Sequence, residues 1–182
     1  MRWLWCLRWY AAASVLRCSP LNRALNLMRR VLNSMKFNAT LNDYFREVHC
    51  ICPKCKGHAI ITAESKYALP WRPSNVSLVC HGCAYRETWP IPSWKSDFVN
   101  YNPGSGIEPY FGYSLFFGVT IKGKTLGILS PKHANDISEY IAYALRPSPI
   151  NSKWSMVNRL PKWVISAKNR SLVLKALSKI RN

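Results

Sequence analysis

Apolar and polar positions along the chain change period several times, and each change marks an element. Leu21, Leu25, Met28, Val31, Leu32 and Met35 recur at helical spacing after Pro20, with Arg23, Arg29 and Arg30 around them, which predicts a basic amphipathic helix. Residues 40–47 predict a short helix capped at Thr40 or Asn42. The β-branched run at 59–63, the segment Ser77-Leu78-Val79 and residues 85–89 then read as three strands. Residues 113–121 and 125–129, joined at Lys122-Gly123, read as a β-hairpin. Ser130-Pro131 is a helix start, with serine as N-cap and proline in the first turn. Ile137, Tyr140, Ile141, Ala144 and Leu145 form that helix's apolar stripe, expected to pack on the hairpin until Pro147 and Pro149 end it. Two short helices close the pattern, one opened by Pro161 and one capped by Ser171.

Between these elements sit two Cys-x-x-Cys pairs, Cys52-Pro-Lys-Cys55 and Cys80-His-Gly-Cys83. Four thiolates, two from each tight turn, are the ligand set of a closed tetrahedral zinc site. The strands between the pairs bring the second turn back to the first, as in a zinc ribbon. The connecting loop, with Pro70, Trp71 and Pro73, is longer than that pattern usually needs. Zinc held by four thiolates has no open position, so the expected cofactor is structural Zn2+. Cys50 is a rival for Cys52 in a shifted register, and His49, His58 and His81 are close enough in sequence to be considered as ligands.

Charge divides the chain differently from hydropathy. Lysine and arginine number 26 against 8 acidic residues, a net charge of +18. Seven basic residues and no acid lie in residues 1–36, and nine with no acid lie in residues 146–182. The middle is therefore nearly neutral, and the excess sits in a leader and a tail. A surface of this sign implies an anionic partner. Lysines and arginines on short helices neutralise phosphates without reading sequence. The residues expected to contact nucleic acid are Lys162, Lys168, Arg170, Lys175 and Lys179, with Trp154 and Trp163 interleaved where they could stack on bases; core packing is the commoner fate of such tryptophans and the expectation for Trp163. A protein partner, with the charge incidental, is the alternative.

The eight acidic residues are scattered singly, so no carboxylate cluster for two-metal chemistry is legible. Gly104-Ser105-Gly106 lacks the lysine of a phosphate loop. His133 is the best isolated catalytic candidate, and a histidine at a helix start more often caps or packs. The expectation is a non-catalytic protein, with an enzyme acting on nucleic acid as the weaker alternative. Seven cysteines in this arrangement favour a reducing, cytoplasmic compartment. No stretch approaches the roughly 18 apolar residues of a transmembrane helix.

The chain resembles bacterial proteins described as containing a transcription factor IIB-type zinc ribbon. The likeness runs from about Cys52 to the C-terminus. It rests on both cysteine pairs, on Pro109-Tyr-Phe-Gly-Tyr113, on His133 with Glu139-Tyr-Ile141, and on Arg159-Leu-Pro-Lys-Trp163, Ala167-Lys-Asn-Arg170 and Val173-Leu-Lys-Ala176. It implies a zinc fold similar to that of a transcription factor and brings no catalytic residues. The group's hairpin tends to read leucine-tryptophan-alanine-tyrosine-asparagine where this chain has Leu126-Gly-Ile-Leu-Ser130. Residues 1–34 have no counterpart in the group, which favours translation starting at Met35. The expected architecture is α+β: a basic leader (1–36), a zinc ribbon (46–92), a linker (93–108), a β-hairpin with a helix (109–146) and a basic helical tail (147–182).

Overall fold

A computed structural model describes residues 37–65, 73–89, 101–144, 146, 147, 149 and 155–180. The leader, the loop with Pro70 and Trp71, Trp154, and the first part of the expected linker lie outside the described residues. The fold is α+β, with an antiparallel sheet of four strands in the order β1-β2-β3-β4: β1 Glu47–Ile51, β2 His58–Glu64, β3 Asn75–Cys80 and β4 Arg86–Thr88. A second, two-stranded sheet pairs β5 (Phe117–Ile121) with β6 (Lys124–Ile128). The helices are α1 (Pro131–Ala142), α2 (Lys162–Ile165) and α3 (Arg170–Ser178).

Strand alternation gives the larger sheet two unlike faces. Register places Val48, Ile61 and Leu78 in one row and Cys50, Ala59 and Cys80 in the next, all buried. The opposite face carries His49, Ile60, Val79 and Arg86 in one row and Ile51 with His58 in another. The helix expected over 40–47 is only a 3-10 turn, Leu41–Tyr44, and Glu47 already begins β1. Asp43 accepts from the Thr40 amide at 2.8 Å, a capping bond that fixes the start of the turn, and the Phe45 amide closes its end on the Asn42 carbonyl.

The hairpin is shorter than the apolar run predicted. Residues 114–116 leave it and extend the larger sheet: Ile51 donates to the Ser114 carbonyl at 2.8 Å, and the Phe116 amide donates to His49 at 3.0 Å. Ile107 pairs in turn with Ser114, adding a further short segment at that edge. The tight β5–β6 turn holds Lys122 and Gly123 at φ 51° and 76°, the left-handed pair that matches the twist of paired strands.

Residues 101–108, expected to belong to a linker, are packed instead. Tyr101 is buried and donates to the Gly127 carbonyl at 2.7 Å. Glu108 is 2% exposed, and its carboxylate accepts the amides of Tyr110, Phe111 and Tyr113 at 2.6, 2.8 and 2.8 Å. That carboxylate, not a helix or strand, shapes the Pro-Tyr-Phe-Gly-Tyr loop. Tyr110 then donates to the Phe45 carbonyl at 2.8 Å, locking the loop to the start of the larger sheet. One hydrophobic cluster runs from Tyr44 through the sheet, Tyr101, Tyr110 and the hairpin to Val173 and Leu177.

Helix α1 begins as its sequence dictates: the Ser130 side chain accepts the His133 amide, and Pro131 opens the first turn. It stops at Ala142, before the prolines, where Tyr143 turns extended. Its buried face is His133, Ala134, Ile137, Ser138 and Ile141, one turn nearer the N-terminus than the stripe read from sequence. This face packs chiefly on α3, which buries Val173 and Leu177. Helix α3 starts at Arg170 after a 3-10 turn over Ala167–Asn169, not at a Ser171 cap, and the Asn169 amide side chain donates to the Trp163 carbonyl at 2.9 Å.

Candidate metal centre

The two Cys-x-x-Cys turns close the same end of the larger sheet, the first between β1 and β2 and the second between β3 and β4. They are built alike. The amide of each leading cysteine bonds five residues ahead, Cys52 to the Gly57 carbonyl at 2.8 Å and Cys80 to the Tyr85 carbonyl at 2.9 Å. The residue after each trailing cysteine is left-handed, Lys56 at φ 61° and Ala84 at φ 55°. Neither is glycine, so each turn holds a conformation that L-residues resist, and the repetition of that strain in both turns marks a shared requirement. Gly57 is needed for a different reason: a Cβ there would stand 3.2 Å from the Cys55 sulfur.

The turns bring together the sulfurs of Cys52, Cys55, Cys80 and Cys83, all within 4.8 Å of one another. Cys52 and Cys83 are 3.7 Å apart and Cys55 and Cys80 are 3.5 Å apart. A tetrahedron of sulfurs around an ion at about 2.3 Å has edges of about 3.8 Å, so the four atoms already stand close to the separations a metal requires. They are far from the roughly 2.05 Å of a disulfide. Cys52 and Cys80 are buried while Cys55 and Cys83 are exposed, so the site lies at the rim of the sheet with one side open to solvent. The backbone amides of Cys83 and Gly82 point to the Cys80 sulfur and favour its thiolate, whereas at Cys83 the Tyr85 amide is outweighed by the crowded sulfurs of Cys55, Cys80 and Cys52, which push its thiol up. A cation among the four sulfurs would relieve that crowding of negative charge and favour the thiolate at each.

The rival ligands go elsewhere. Cys50 is wholly buried on the core face of β1, where burial and the neighbouring Glu108 push its thiol up to about 12. It is a neutral core side chain. His49 and His58 bond to each other through Nδ1 and Nε2 at 2.8 Å, and His49 Nε2 meets Glu47 Oε1 at 2.9 Å. His133 is buried and packs: its ring stacks on Tyr44 at 4.4 Å, and its Nδ1 accepts the Leu129 amide at 3.2 Å.

The tail residues separate by exposure. Lys162, Lys168, Lys175 and Lys179 are exposed, and among the described residues none is paired with a carboxylate. Arg170 is half-buried, with its Nε lacking a partner, and Trp163 packs partly into the core. The chain from Glu47 to His49 to His58 was not legible in the sequence, because those residues meet only once β1 and β2 pair. Glu108 had a weak signal, a lone acid just before a proline- and glycine-bracketed aromatic loop. Among the described residues no helix is long and apolar enough to cross a membrane. Protein-family models, curated proteins and solved structures were compared with this chain, and none matches it.

Proposed function

We propose that this is a non-catalytic, zinc-stabilised protein that binds nucleic acid through its basic C-terminal helices. The observation that carries the metal half is the four-sulfur cluster, in separations that suit one tetrahedral ion. An all-thiolate, four-coordinate set favours zinc over the oxygen-seeking cations and leaves no position for a substrate. Two knuckles on adjacent strands of an antiparallel sheet support the zinc-ribbon reading and, with it, the resemblance to the transcription factor IIB-type ribbon proteins. Free thiols suit a reducing compartment such as the cytoplasm.

The nucleic-acid half rests on Lys162, Lys168, Lys175 and Lys179, which stand exposed and, among the described residues, without a carboxylate partner; Lys175 lies in, and Lys179 caps the end of, a helix that buries Val173 and Leu177 on its other side. Such cations release counterions on meeting phosphates, so affinity must fall with salt. Titration of the full chain against RNA and DNA at two salt concentrations tests this. Neutralising the four lysines should lower affinity and flatten the salt slope by about 0.7 to 0.9 for each phosphate that no longer meets a cation. Binding that ignores both salt and these lysines would overturn the reading. Salt-insensitive recovery of a single protein partner would favour the adaptor alternative.

A further inference from the structure

The outward face of the larger sheet is unlike a solvated sheet face. Register sets Ile107, Ser114, Ile51 and His58 in one row at the knuckle end. The next row holds Phe116 against His49, then Ile60, Val79 and Arg86. Phe116 is 42% exposed and Ile107 46% exposed, two of the three large apolar side chains left open among the described residues. They lie on one face, at one end of it.

Phe116 is not loose. Its ring stacks on His58 with centroids 4.3 Å apart and 28° between planes, and Phe117 meets its edge at 5.1 Å and 81°. His58 is itself fixed. The 2.8 Å contact between His49 Nδ1 and His58 Nε2, with centroids 4.9 Å apart and planes 17° apart, sets the two imidazoles edge to edge in nearly one plane. Glu47 pins the far nitrogen of His49. The result is a rigid aromatic shelf with an exposed phenyl ring on it.

Charge is distributed to match. Exposed Lys56 lies in the first knuckle two residues before His58, its Nζ donating to the Pro53 carbonyl at 3.2 Å; Lys54 of the same turn lies over the Tyr85 ring, and exposed Arg86 ends the Phe116 row at the far edge of the sheet. The acids of this face, Glu47 and Glu64, lie toward the opposite end, and Glu47 is occupied by His49. An exposed, pre-fixed π surface rimmed by cations suits an unpaired base with its phosphodiester backbone. A duplex hides its base faces, whereas single strands offer them to aromatic side chains.

We propose that this sheet face is a single-strand platform, on which one unpaired base stacks on Phe116, Lys56 meets the adjacent phosphate, and Arg86, four strands or about 19 Å away across the sheet, meets the backbone of the same strand further along. The inference rests on the nucleic-acid reading above and adds to it a second binding surface and a preference for single strands. The test is fluorescence anisotropy of the full chain with labelled oligouridylate, oligothymidylate and a matched duplex of about 20 nucleotides, at two salt concentrations. Phe116→Ala should weaken binding to at least one of the single strands by about 5- to 150-fold. It should leave duplex binding and the salt slope as in the wild type, because every cation that meets a phosphate is still in place. Phe116→Trp, which keeps a stacking ring, should retain affinity.

Single-strand affinity unchanged in Phe116→Ala would overturn the platform, as would equal losses on single strand and duplex. With wild-type salt dependence intact, either result would leave the tail reading standing. Sensitivity to Phe116 combined with indifference to the four tail lysines would do the reverse. An absence of wild-type binding to any of the three probes would end both.

Discussion

His133 makes stability depend on acidity in a way that can be worked out from its surroundings. The ring is buried beneath Tyr44 and Tyr101, its Nδ1 accepts the Leu129 amide, and Lys132 is adjacent. Burial first, and the Lys132 charge second, lower its pKa from 6.5 to about 3. In the unfolded chain the same histidine takes up a proton as pH falls through 6.5, while the folded one does not. The unfolded state therefore binds more protons, and stability falls with pH from about 6.5 down to about 3. At about 1.4 kcal/mol for each pH unit, that loss is about 2 kcal/mol between pH 7.5 and pH 5, and about 5 kcal/mol when complete. Set against a total of about 5–15 kcal/mol for a small protein, it is large. The assay is urea denaturation at several pH values in that upper window, with metal content checked at each, for the wild type and for His133→Asn. Asparagine can keep an acceptor near the Leu129 amide but does not titrate. The variant should be less stable at pH 7.5, and the gap should shrink by about 2 kcal/mol by pH 5. Parallel stability curves would show that this histidine is protonated in the folded state, and the packing argument would fail.

Other expectations follow from the same packing and from the cysteine cluster. If the cysteine cluster holds zinc as proposed, chelation should unfold the larger sheet at its knuckle end, seen as loss of amide-exchange protection in β2 and β3, because a structural zinc would contribute on the order of 10–16 kcal/mol. Protection that survives metal removal would contradict this. Gly127→Ala should destabilise by about 1–3 kcal/mol in chemical denaturation, since its Cβ would meet Leu115 Cδ1 at 2.6 Å and the Gly106 backbone at 3.3 Å; wild-type stability would count against the close packing of residues 101–106. Glu108→Gln replaces an acceptor of three amides with a single carbonyl and should cost at least about 2 kcal/mol by the same measurement. A neutral outcome there would mean that the loop over 109–113 is shaped by something else.

What could be read before folding was local. Each cysteine pair, the Lys122-Gly123 turn and the Ser130-Pro131 helix start are complete within a few residues, so their chemistry is visible in the sequence. What could not be read depends on partners far along the chain. Strand β1 hides because His49, polar by type, is almost as buried as Val48 and Cys50 beside it. Residues 114–116 look like more hairpin until the open edge of β1 claims them. Residues 101–108 look like linker because their composition is polar, yet Tyr101 and Glu108 bury themselves by bonding to backbone groups near and far. Gly127 reads as an ordinary strand glycine until the 101–106 segment is seen to lie against it, the Gly106 backbone 3.3 Å and the Tyr101 hydroxyl 3.4 Å from where a Cβ would stand. In the tail, composition shows the excess of basic residues but could not separate the exposed lysines from the half-buried Arg170.

The claim on which the rest depends is that Cys52, Cys55, Cys80 and Cys83 together hold one zinc ion. Zinc-edge X-ray absorption on the purified full chain, with metal content measured on the same sample, addresses it most directly. The expected result is one zinc per chain, surrounded by four sulfurs at about 2.3 Å and by no nitrogen or oxygen. A shell containing imidazole or water, or a protein that carries no metal, would contradict it.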